Sequence, residues 1–300
     1  MKIFITGATG YIGFNVALAL RRAGHAVWGL ARSKDKAHLL AAQEIHAVVG
    51  TLQQPDSYLP IAEQCAVLIH AAVDFQADTF VLDRRTVEGL LAAGQRGAQP
   101  KTVIYTSGAW VYGDTGGELV DETTPLTPPR LVEMRPATEQ MVLTARGVRG
   151  LVIRPGCVYG RQGGLTGIWF SGTRGKALKV IGSGNNRWAM VHVDDLADGY
   201  LRVAESHFAG EVFNFTDRSR STVGGIVRAV AQVAGYTDPI QFILVAEAAR
   251  TLGELAHCLA LDQHVDARKA VRLLGWQPRH GSFVDEVETY YQSWKAAQQA

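Results

Sequence analysis

The sequence predicts an α/β fold in which helices cover both faces of a doubly wound parallel sheet. The first half of the chain alternates short runs rich in Val and Ile with segments of helical period. This alternation is typical of parallel strands joined by crossover helices. Composition agrees with the prediction, because 300 residues with 47% hydrophobic and 19% charged content can form a sizeable core and a smaller second domain.

Six runs have the length and composition of strands, at residues 2–6, 26–31, 47–49, 67–71, 103–106 and 151–154. In the first crossover helix, Val16 and Leu20 repeat at helical spacing, and Gly24 supplies the left-handed residue that ends the helix. Two later segments, 193–205 and 222–234, also have a helical pattern. Asp194 or Asp195 is a candidate N-cap for the first of them.

The composition changes after Pro155. Gly-rich loops with bulky apolar residues follow, and the strand–helix alternation becomes irregular. We therefore expect a first domain at residues 1–155 and a second, smaller domain at 156–300, with a segment near 188–206 returning to the first.

Charge and cysteine content exclude several classes of function. The net charge is +2 and the basic residues are scattered, so the basic surface that a nucleic-acid partner requires is not expected. The three cysteines have neither metal-ligand nor disulfide spacing, which fits a reducing compartment. His192, Asp194 and Asp195 are explained by strand alternation and helix capping, so no metal site is expected. With no secretory leader or long apolar run, we expect a cytoplasmic protein without a membrane span.

A glycine-rich turn follows the first strand directly and opens a helix. Its sequence is GATGYIG, and the residues expected to contact a cofactor are Gly7, Thr9, Gly10, Tyr11, Ile12 and Gly13. One glycine permits the tight turn, another the approach of a pyrophosphate, and a third close packing of helix on strand. The helix N-terminus then presents N–H groups to the phosphates. This context predicts a dinucleotide-binding site.

The end of the second strand indicates which dinucleotide binds. An acidic residue there would accept hydrogen bonds from a ribose 2′-hydroxyl, but the chain continues with Arg32 and Ser33, followed by Lys34 and Lys36. Positive charge at this position suits a 2′-phosphate. The sequence therefore favours NADP(H) over NAD(H), the alternative being a solvated basic loop.

Five segments occur in an order and spacing that resemble the extended short-chain dehydrogenase/reductase superfamily, which includes NAD-dependent epimerases and dehydratases. They are TGATGYIG at 6–13, IHAA at 69–72, TSGAWVYG at 106–113, RPGCVYG at 154–160 and WAMVHVDDLADGY at 188–200. The resemblance implies a Rossmann domain and a smaller C-terminal substrate-binding lobe. It also implies cofactor contacts from Ala71, Ala72, Thr106, Arg135, Pro155 and Val158.

The resemblance fails at the residues that carry the family's chemistry. Where the family has a Ser or Thr, a Tyr and a Lys, the matching positions here hold Gly108, Leu131 and Arg135. A guanidinium does not deprotonate, so Arg135 is expected to hold the cofactor and not to act as an acid.

Other groups are candidates for the missing chemistry. Thr106 and Ser107 can polarise a carbonyl oxygen while water or a substrate hydroxyl supplies the proton. Tyr159 and Tyr112 are candidate proton donors, although a tyrosine at each position is more often a packing residue. The predicted catalytic residues are Thr106, Ser107 and Tyr159.

The substrate side gives two opposed indications. Arg187 precedes the 188–200 segment where family members contact a diphosphate, which favours an anionic substrate, but Cys157 replaces the usual Asn of the 154–160 segment. Bulky apolar residues indicate instead an apolar cleft, although they are equally explained as core between the two lobes. They are Trp110, Leu131, Met134, Ile168, Trp169 and Phe170. The predicted substrate-binding residues are Trp110, Leu131, Cys157, Trp169 and Arg187.

Three functions remain open at this point. The leading hypothesis is an NADPH-dependent reductase acting on a carbonyl of a small hydrophobic metabolite. The alternatives are a nucleotide-sugar epimerase or dehydratase, and a non-catalytic NADP(H) sensor or scaffold. Besides a small-molecule substrate, the resemblance implies a possible homodimer through helices around 83–93 and 132–146.

Overall fold

The computed structural model describes residues 1–74, 78–97, 99–161, 163–175 and 177–298. In chain order its strands are β1 (Lys2–Thr6), β2 (Ala26–Ala31), β3 (His46–Val49), β4 (Val67–His70), β5 (Lys101–Thr106), β6 (Leu119–Val120), β7 (Val148–Pro155), β8 (Cys157–Tyr159), β9 (Lys179–Ile181), β10 (Met190–His192), β11 (Glu211–Phe215), β12 (Gln241–Ile243) and β13 (His264–Val265). The helices are α1 (Tyr11–Arg22), α2 (Lys34–Ala41), α3 (Leu59–Ala62), α4 (Thr79–Gln95), α5 (Arg135–Leu143), α6 (Gly167–Arg174), α7 (Val193–Glu205), α8 (Val223–Ala234), α9 (Val245–Leu252), α10 (Glu254–Leu259), α11 (Arg268–Leu274) and α12 (Val287–Ala297).

The central sheet has seven strands in the order β3-β2-β1-β4-β5-β7-β11. The neighbouring pairs from β3 to β7 are all parallel, which confirms the predicted doubly wound α/β fold. The order reverses at β1, which has β2 on one side and β4 on the other. In such sheets a crevice opens at the carboxyl ends of the strands where the order reverses, and ligands bind there.

The chain divides into two compact units. The first contains Met1–Ser107, Met134–Arg154 and Leu196–Phe213. Its core lies on the sheet and includes Phe4 of β1 and Leu68 of β4, both fully buried. Strands covered by helices on both faces are apolar along their whole length, which is why these runs were recognisable in the sequence.

The second unit contains Gly108–Glu133, Pro155–Asp195 and the chain from Asn214 onward. Its core is rich in aromatic residues from α6, α8 and α12. The sequence assigns residues 108–133 to the first domain, but they belong to this unit, because Val111 and Tyr112 pack in a cluster with Val265 of β13.

One helix end was predicted from the sequence, a second was not, and a third was predicted wrongly. Gly24 has φ of +86° just after α1, and the Thr222 hydroxyl caps α8 by accepting from Gly225 N at 3.1 Å. The predicted cap of α7 is wrong, since the helix begins at Val193 and contains Asp194 and Asp195 in its first turn.

Candidate functional site

The glycines of the predicted cofactor loop lie between β1 and α1. Gly7 has φ of +73°, and a Cβ there would lie 2.5 Å from the carbonyl oxygen of Ala71, which follows β4. A Cβ on Gly13 would lie 2.2 Å from the Gly7 carbonyl oxygen, so α1 packs on the loop more closely than a side chain permits. Among the described residues, a Cβ on Gly10 would come within 4 Å of the Gly7 carbonyl oxygen alone, at 3.2 Å. The loop therefore forms an open cradle beside the reversal point of the sheet.

The N-terminus of α1 suits an anion. Gly10 is its N-cap and has no side chain that could cap the helix, and the first turn carries no acidic residue. A helix end of this kind presents N–H groups and the positive end of the helix dipole. Thr9, Tyr11 and Ile12 are half-buried around it, as are Ala71 and Ala72 at the end of β4.

A buried polar network fixes the strand ends beneath this cradle. His70 Nδ1 lies 2.6 Å from Thr6 Oγ1, and His70 Nε2 lies 3.1 Å from Asp83 Oδ1 in α4. The Tyr105 hydroxyl donates to Asp83 Oδ2 at 2.8 Å. Burial alone would raise the pKa of Asp83, but the hydrogen bonds from His70 and Tyr105 outweigh it and leave the pKa below its usual value. The network joins β1, β4 and β5 to α4, and no motif in the sequence indicated it.

The residues after β2 form an exposed basic turn. No hydrogen bond or ion pair joins the Arg32 guanidinium to another residue in the described part of the chain. Ser33 is the N-cap of α2, and its hydroxyl oxygen accepts from Lys36 N at 3.3 Å. Lys34 and Lys36 are also exposed. The positive end of α2 and three cations thus meet at one carboxyl end of the sheet.

Two hydroxyl residues lie at the end of β5, where Thr106 is the last residue of the strand and Ser107 follows it. Thr106 is half-buried, and Ser107 is 5% exposed, with its backbone N donating to the Ile153 carbonyl oxygen at 2.8 Å. The Ser107 hydroxyl is buried and has no hydrogen-bond partner among the described residues. Leaving a buried hydroxyl unpaired costs about 1–3 kcal/mol. A polar atom in that condition is typical of a position that receives a ligand.

Arg135 lies beside these hydroxyls. Its Nη1 donates to the Thr106 carbonyl oxygen at 3.3 Å from the start of α5. One turn later, Glu139 pairs with Arg154 of β7, and both side chains are buried, with 3% and 5% exposure. This ion pair anchors α5 on the sheet and thereby holds Arg135 at the end of β5.

Sequence reasoning missed one residue of this cluster. The Tyr200 hydroxyl lies 2.6 Å from Thr106 Oγ1. Tyr200 is fully buried on the apolar face of α7, between Leu196 and Val203. The signal was available in part, because Tyr200 ends the matched 188–200 segment and interrupts an apolar stripe.

The other positions of the lost triad hold no acid or base. Gly108 precedes a short 3-10 turn that contains Trp110, and Leu131 lies in a second such turn. The side chains of Trp110 and Leu131 are half-buried. The Tyr112 hydroxyl is buried and donates to Asn214 Oδ1 at 2.9 Å. These residues belong to the second unit, so the predicted site residues are divided between the two units.

The strand β8 carries three of the predicted residues in the second unit. Val158 is buried, and Cys157 has a pKa raised to about 12 by burial and by the charge of Asp217. Tyr159 is fully buried, and its hydroxyl donates to Asp217 Oδ2 at 2.9 Å. Burial, with the Asp217 charge, raises the pKa of Tyr159 far above its usual value. Just before β8, Pro155 is also buried.

Aromatic packing explains Tyr159 and Trp169 without a ligand. The Tyr159 ring contacts Phe283 and Tyr290 edge to face, at centroid distances of 5.3 and 5.4 Å. Trp169 is 2% exposed and stacks on Trp188 at 4.8 Å. Both side chains lie in the core of the second unit, where little of their surface remains for a substrate.

Phe170 belongs to the same core, whereas two other predicted apolar residues are exposed. Phe170 is 3% exposed, Ile168 is 45% exposed and Met134 is 44% exposed. Within the second unit, Phe170 and Ile168 of α6 therefore point to the core and to the surface respectively, whereas Met134 belongs to the first unit.

Arg187 lines a groove of about 390 Å³ in the second unit. Arg218, Arg220 and Arg268 also line it. Arg268 pairs with Asp266, whereas the Arg187 Nε is buried without a hydrogen-bond partner among the described residues. Arginine donors in a groove of this size suit a carboxylate or phosphate.

The acidic and histidine cluster near α7 has structural partners. Asp195 Oδ2 accepts from the backbone N of Arg279 and of His280, each at 3.0 Å. His192 stacks on His280 at 3.6 Å, and burial followed by the His280 charge lowers the pKa of His192 to about 4. Asp194 pairs with Arg161.

The chain is similar to proteins of a known family. Residues 3–215 match the NAD dependent epimerase/dehydratase family. The chain belongs to this family. This match confirms the superfamily that the sequence motifs predict. The family is described by its dependence on a nicotinamide dinucleotide, which agrees with the cradle at the reversal point of the sheet.

Three proteins illustrate the range of similarity to this epimerase/dehydratase-family chain. A 4-hydroxy-2-methyl-3-oxo-4-farnesyl-3,4-dihydroquinoline-1-oxide ketoreductase of Stigmatella aurantiaca is 30% identical over 92% of this chain and 87% of its own length. An uncharacterized protein of Schizosaccharomyces pombe is 27% identical over 96% of this chain and 98% of its own. The crystal structure of a UDP-glucose 4-epimerase from Thermotoga maritima with UDP-glucose has a TM-score of 0.83 at 19% identity, covering 99% of this chain and all of that one. The last comparison establishes the fold alone.

Reductases and an epimerase both occur among the relatives of this chain. No helix in the described part of the chain is both long enough and apolar enough to cross a membrane.

Proposed function

We propose that the protein is an NADP(H)-dependent oxidoreductase of the extended short-chain dehydrogenase/reductase type, which reduces a carbonyl of a small hydrophobic metabolite. One observation carries the proposal. The cofactor cradle is intact at the reversal point of the sheet, and the unpaired, buried Ser107 hydroxyl ends a strand of the same sheet. The usual Tyr and Lys positions hold Leu131 and Arg135 instead.

The residues present fit a dinucleotide. The cradle at Gly7, Gly10 and Gly13 is space that a Cβ would fill, and the uncapped α1 N-terminus would receive the pyrophosphate. Ala71 and Ala72 would line its floor. When bound, the cofactor supplies a hydride to the carbonyl carbon.

Preference for NADP(H) rests on the turn after β2. Arg32 is exposed and has no partner in the described part of the chain, and it stands next to the α2 N-cap residue Ser33. A guanidinium and a helix N-terminus together suit the 2′-phosphate of NADP(H). NAD(H) has an uncharged 2′-hydroxyl at this place, which forms no charge-assisted hydrogen bond with the guanidinium.

The chain's own residues act on the carbonyl oxygen. The Ser107 and Thr106 hydroxyls donate hydrogen bonds to it and stabilise the negative charge that develops there. Arg135 adds a fixed positive charge at the end of β5. Its hydrogen bond to the Thr106 carbonyl oxygen holds the guanidinium there. Water or a substrate hydroxyl delivers the proton. Absence of a positioned acid lowers the rate by about 10²–10⁴ but leaves the reaction possible. Tyr159 is not included, because its hydroxyl is committed to Asp217.

A hydrophobic carbonyl substrate is supported by a relative. The Stigmatella protein is a ketoreductase named for a fused-ring oxo compound that carries a farnesyl chain. Half-buried Trp110 and Leu131 are apolar in this chain, and Leu131 stands where sugar-nucleotide enzymes of the family need a tyrosine.

A second candidate function is favoured by the groove at Arg187. Its unpaired, buried Nε and the further arginines of that groove suit the diphosphate of a nucleotide sugar. This candidate predicts that UDP- or dTDP-glucose raises the melting temperature, and that Arg187→Ala removes this effect.

Fluorescence titration with NADPH and NADH tests the cofactor assignment. Arg32→Ala removes a charge-assisted hydrogen bond of about 1.5–3 kcal/mol, so we expect the Kd for NADPH to rise about 10- to 100-fold. The Kd for NADH should change little. Arg22→Ala, at an exposed arginine of α1, is the matched control and should leave both constants unchanged.

Oxidation of NADPH in the presence of ketones, quinones and sugar nucleotides tests the activity. Turnover with a ketone or quinone supports the reductase. NADPH binding without turnover on any of these compounds would contradict it and favour a sensor or scaffold. Failure to bind either dinucleotide would refute the cofactor assignment itself.

A further inference from the structure

The hydroxyl pair of Tyr200 and Thr106 lies at the end of β5 in the first unit. The two oxygens are 2.6 Å apart, and either hydroxyl could donate to the other. Thr106 is half-buried and ends the strand, whereas Tyr200 is fully buried in α7. The direction of this one hydrogen bond decides what Thr106 offers to a ligand.

The burial of Tyr200 determines that direction. No other described residue forms a hydrogen bond with its hydroxyl. If Thr106 donated, the Tyr200 hydrogen would have no partner in a fully buried site, which is costly. If Tyr200 donates, both groups are satisfied, because the Thr106 hydrogen then points to the less buried side. Burial also raises the pKa of Tyr200 above its usual value, so the hydroxyl keeps its hydrogen.

We propose that Tyr200 is a positioning residue, which donates its hydroxyl hydrogen to Thr106 and thereby keeps the Thr106 hydroxyl oriented as a donor to the substrate carbonyl oxygen. This inference rests on the proposed reductase function for the role of Thr106. The hydrogen-bond direction itself does not depend on it.

Neighbouring groups support the same arrangement. Arg135 donates to the carbonyl oxygen of Thr106 at 3.3 Å, so the backbone of Thr106 and its side chain are each held by a donor. Ser107, the next residue, carries the unpaired hydroxyl. Two hydroxyl donors at the end of one strand form a preorganised site for developing negative charge.

Vibrational spectroscopy tests the direction without a substrate. The tyrosine Fermi doublet in the Raman spectrum distinguishes a phenol that donates a hydrogen bond from one that accepts. The difference spectrum between the wild type and Tyr200→Phe isolates the Tyr200 signal. A strong-donor pattern supports the proposal, and an acceptor or unbonded pattern overturns it.

Kinetics tests the consequence, with 9,10-phenanthrenequinone as the probe and NADPH oxidation as the signal. Tyr200→Phe should lower kcat about 10- to 100-fold, less than or equal to the loss of a whole oxyanion donor, with the Kd for NADPH unchanged. Thr106→Val should cause a similar loss, and the double variant should be no worse than either single variant. Additive effects would show that the two hydroxyls act separately and would overturn the proposal.

Tyr58→Phe is the matched control, because Tyr58 is a buried tyrosine of the same unit whose hydroxyl bonds to Thr86. It should keep full kcat with a comparable change in melting temperature. If the wild type oxidises no NADPH with any carbonyl compound, the proposed function fails, while the Raman result still decides the role of Tyr200.

Discussion

Replacement of Asp217 by Asn should remove a pH-dependent loss of stability. Burial, only partly offset by hydrogen bonds from Ser219 N and the Tyr159 hydroxyl, raises the pKa of Asp217 from 3.8 to about 7. Because the native pKa lies above the unfolded value, the contribution of Asp217 to stability is largest below pH 3.8 and falls until the pH passes about 7. The native protein then contains a carboxylate that the unfolded chain would solvate better.

The magnitude follows from the interval between the two pKa values. Each pH unit within it corresponds to about 1.4 kcal/mol for one proton. Between pH 5 and pH 8 the wild type should lose up to about 3 kcal/mol through this group. Partial access of water to Asp217 reduces the value, so we expect Asp217→Asn to gain about 1–3 kcal/mol relative to the wild type over that range.

Urea unfolding at several pH values, followed by circular dichroism, measures this difference. The informative quantity is the stability of Asp217→Asn minus that of the wild type, plotted against pH, because any fixed cost of altering the hydrogen bond to Tyr159 is the same at each pH. Asp238→Asn, at an exposed aspartate, controls for the loss of one negative charge. A difference for Asp217→Asn that stays constant from pH 5 to pH 8 would refute the reasoning.

Two further substitutions test the architecture of the first unit. Gly13→Ala places a Cβ 2.2 Å from the Gly7 carbonyl oxygen, so α1 must shift. We expect at least a tenfold weaker affinity for NADPH, measured by fluorescence titration. Unchanged affinity would argue against the cradle as the cofactor site. Glu139→Ala leaves the buried Arg154 without its carboxylate, and loss of one partner of a buried pair costs about 3–5 kcal/mol. Urea unfolding measures that loss, and a change below about 1 kcal/mol would show that the pair does not anchor α5.

The sheet was predictable because its strands are apolar on both faces. The predicted bounds of β1 and β2 are confirmed, and β7 is longer than predicted because it starts at Val148 and runs through the glycine at position 150. The sequence prediction omitted β11, Glu211–Phe215, which lies at the edge of the sheet. Its polar residues Glu211 and Asn214 leave an apolar run of only two residues between them, which made it resemble a loop.

The candidate site was predictable where its contacts are local. Gly7 and Gly13 act within one turn, and a motif of a few residues was enough to identify them. The hydrogen bond between Thr106 and Tyr200 spans 94 positions of the chain, and the network from Thr6 to Asp83 spans three elements. No local pattern encodes which distant polar groups meet. The burial of Trp169 in a core was not predictable either, because the sequence pattern of an apolar residue is the same in a core and in a cleft.

The order in which the chain visits its two units has a consequence for synthesis on the ribosome. The first unit is completed only by Leu196–Phe213, after the chain has twice left it to build parts of the second. Strand β11 at the edge of the sheet is therefore among the last pieces of that unit to leave the exit tunnel. A nascent chain that has passed residue 155 still has an unpaired edge at β7, which is the condition in which strands pair with the wrong partner. Slow translation beyond this point would lengthen the time for which the β7 edge is unpaired and able to aggregate. A protein shortened at the apparent end of its first domain would keep that edge unpaired permanently.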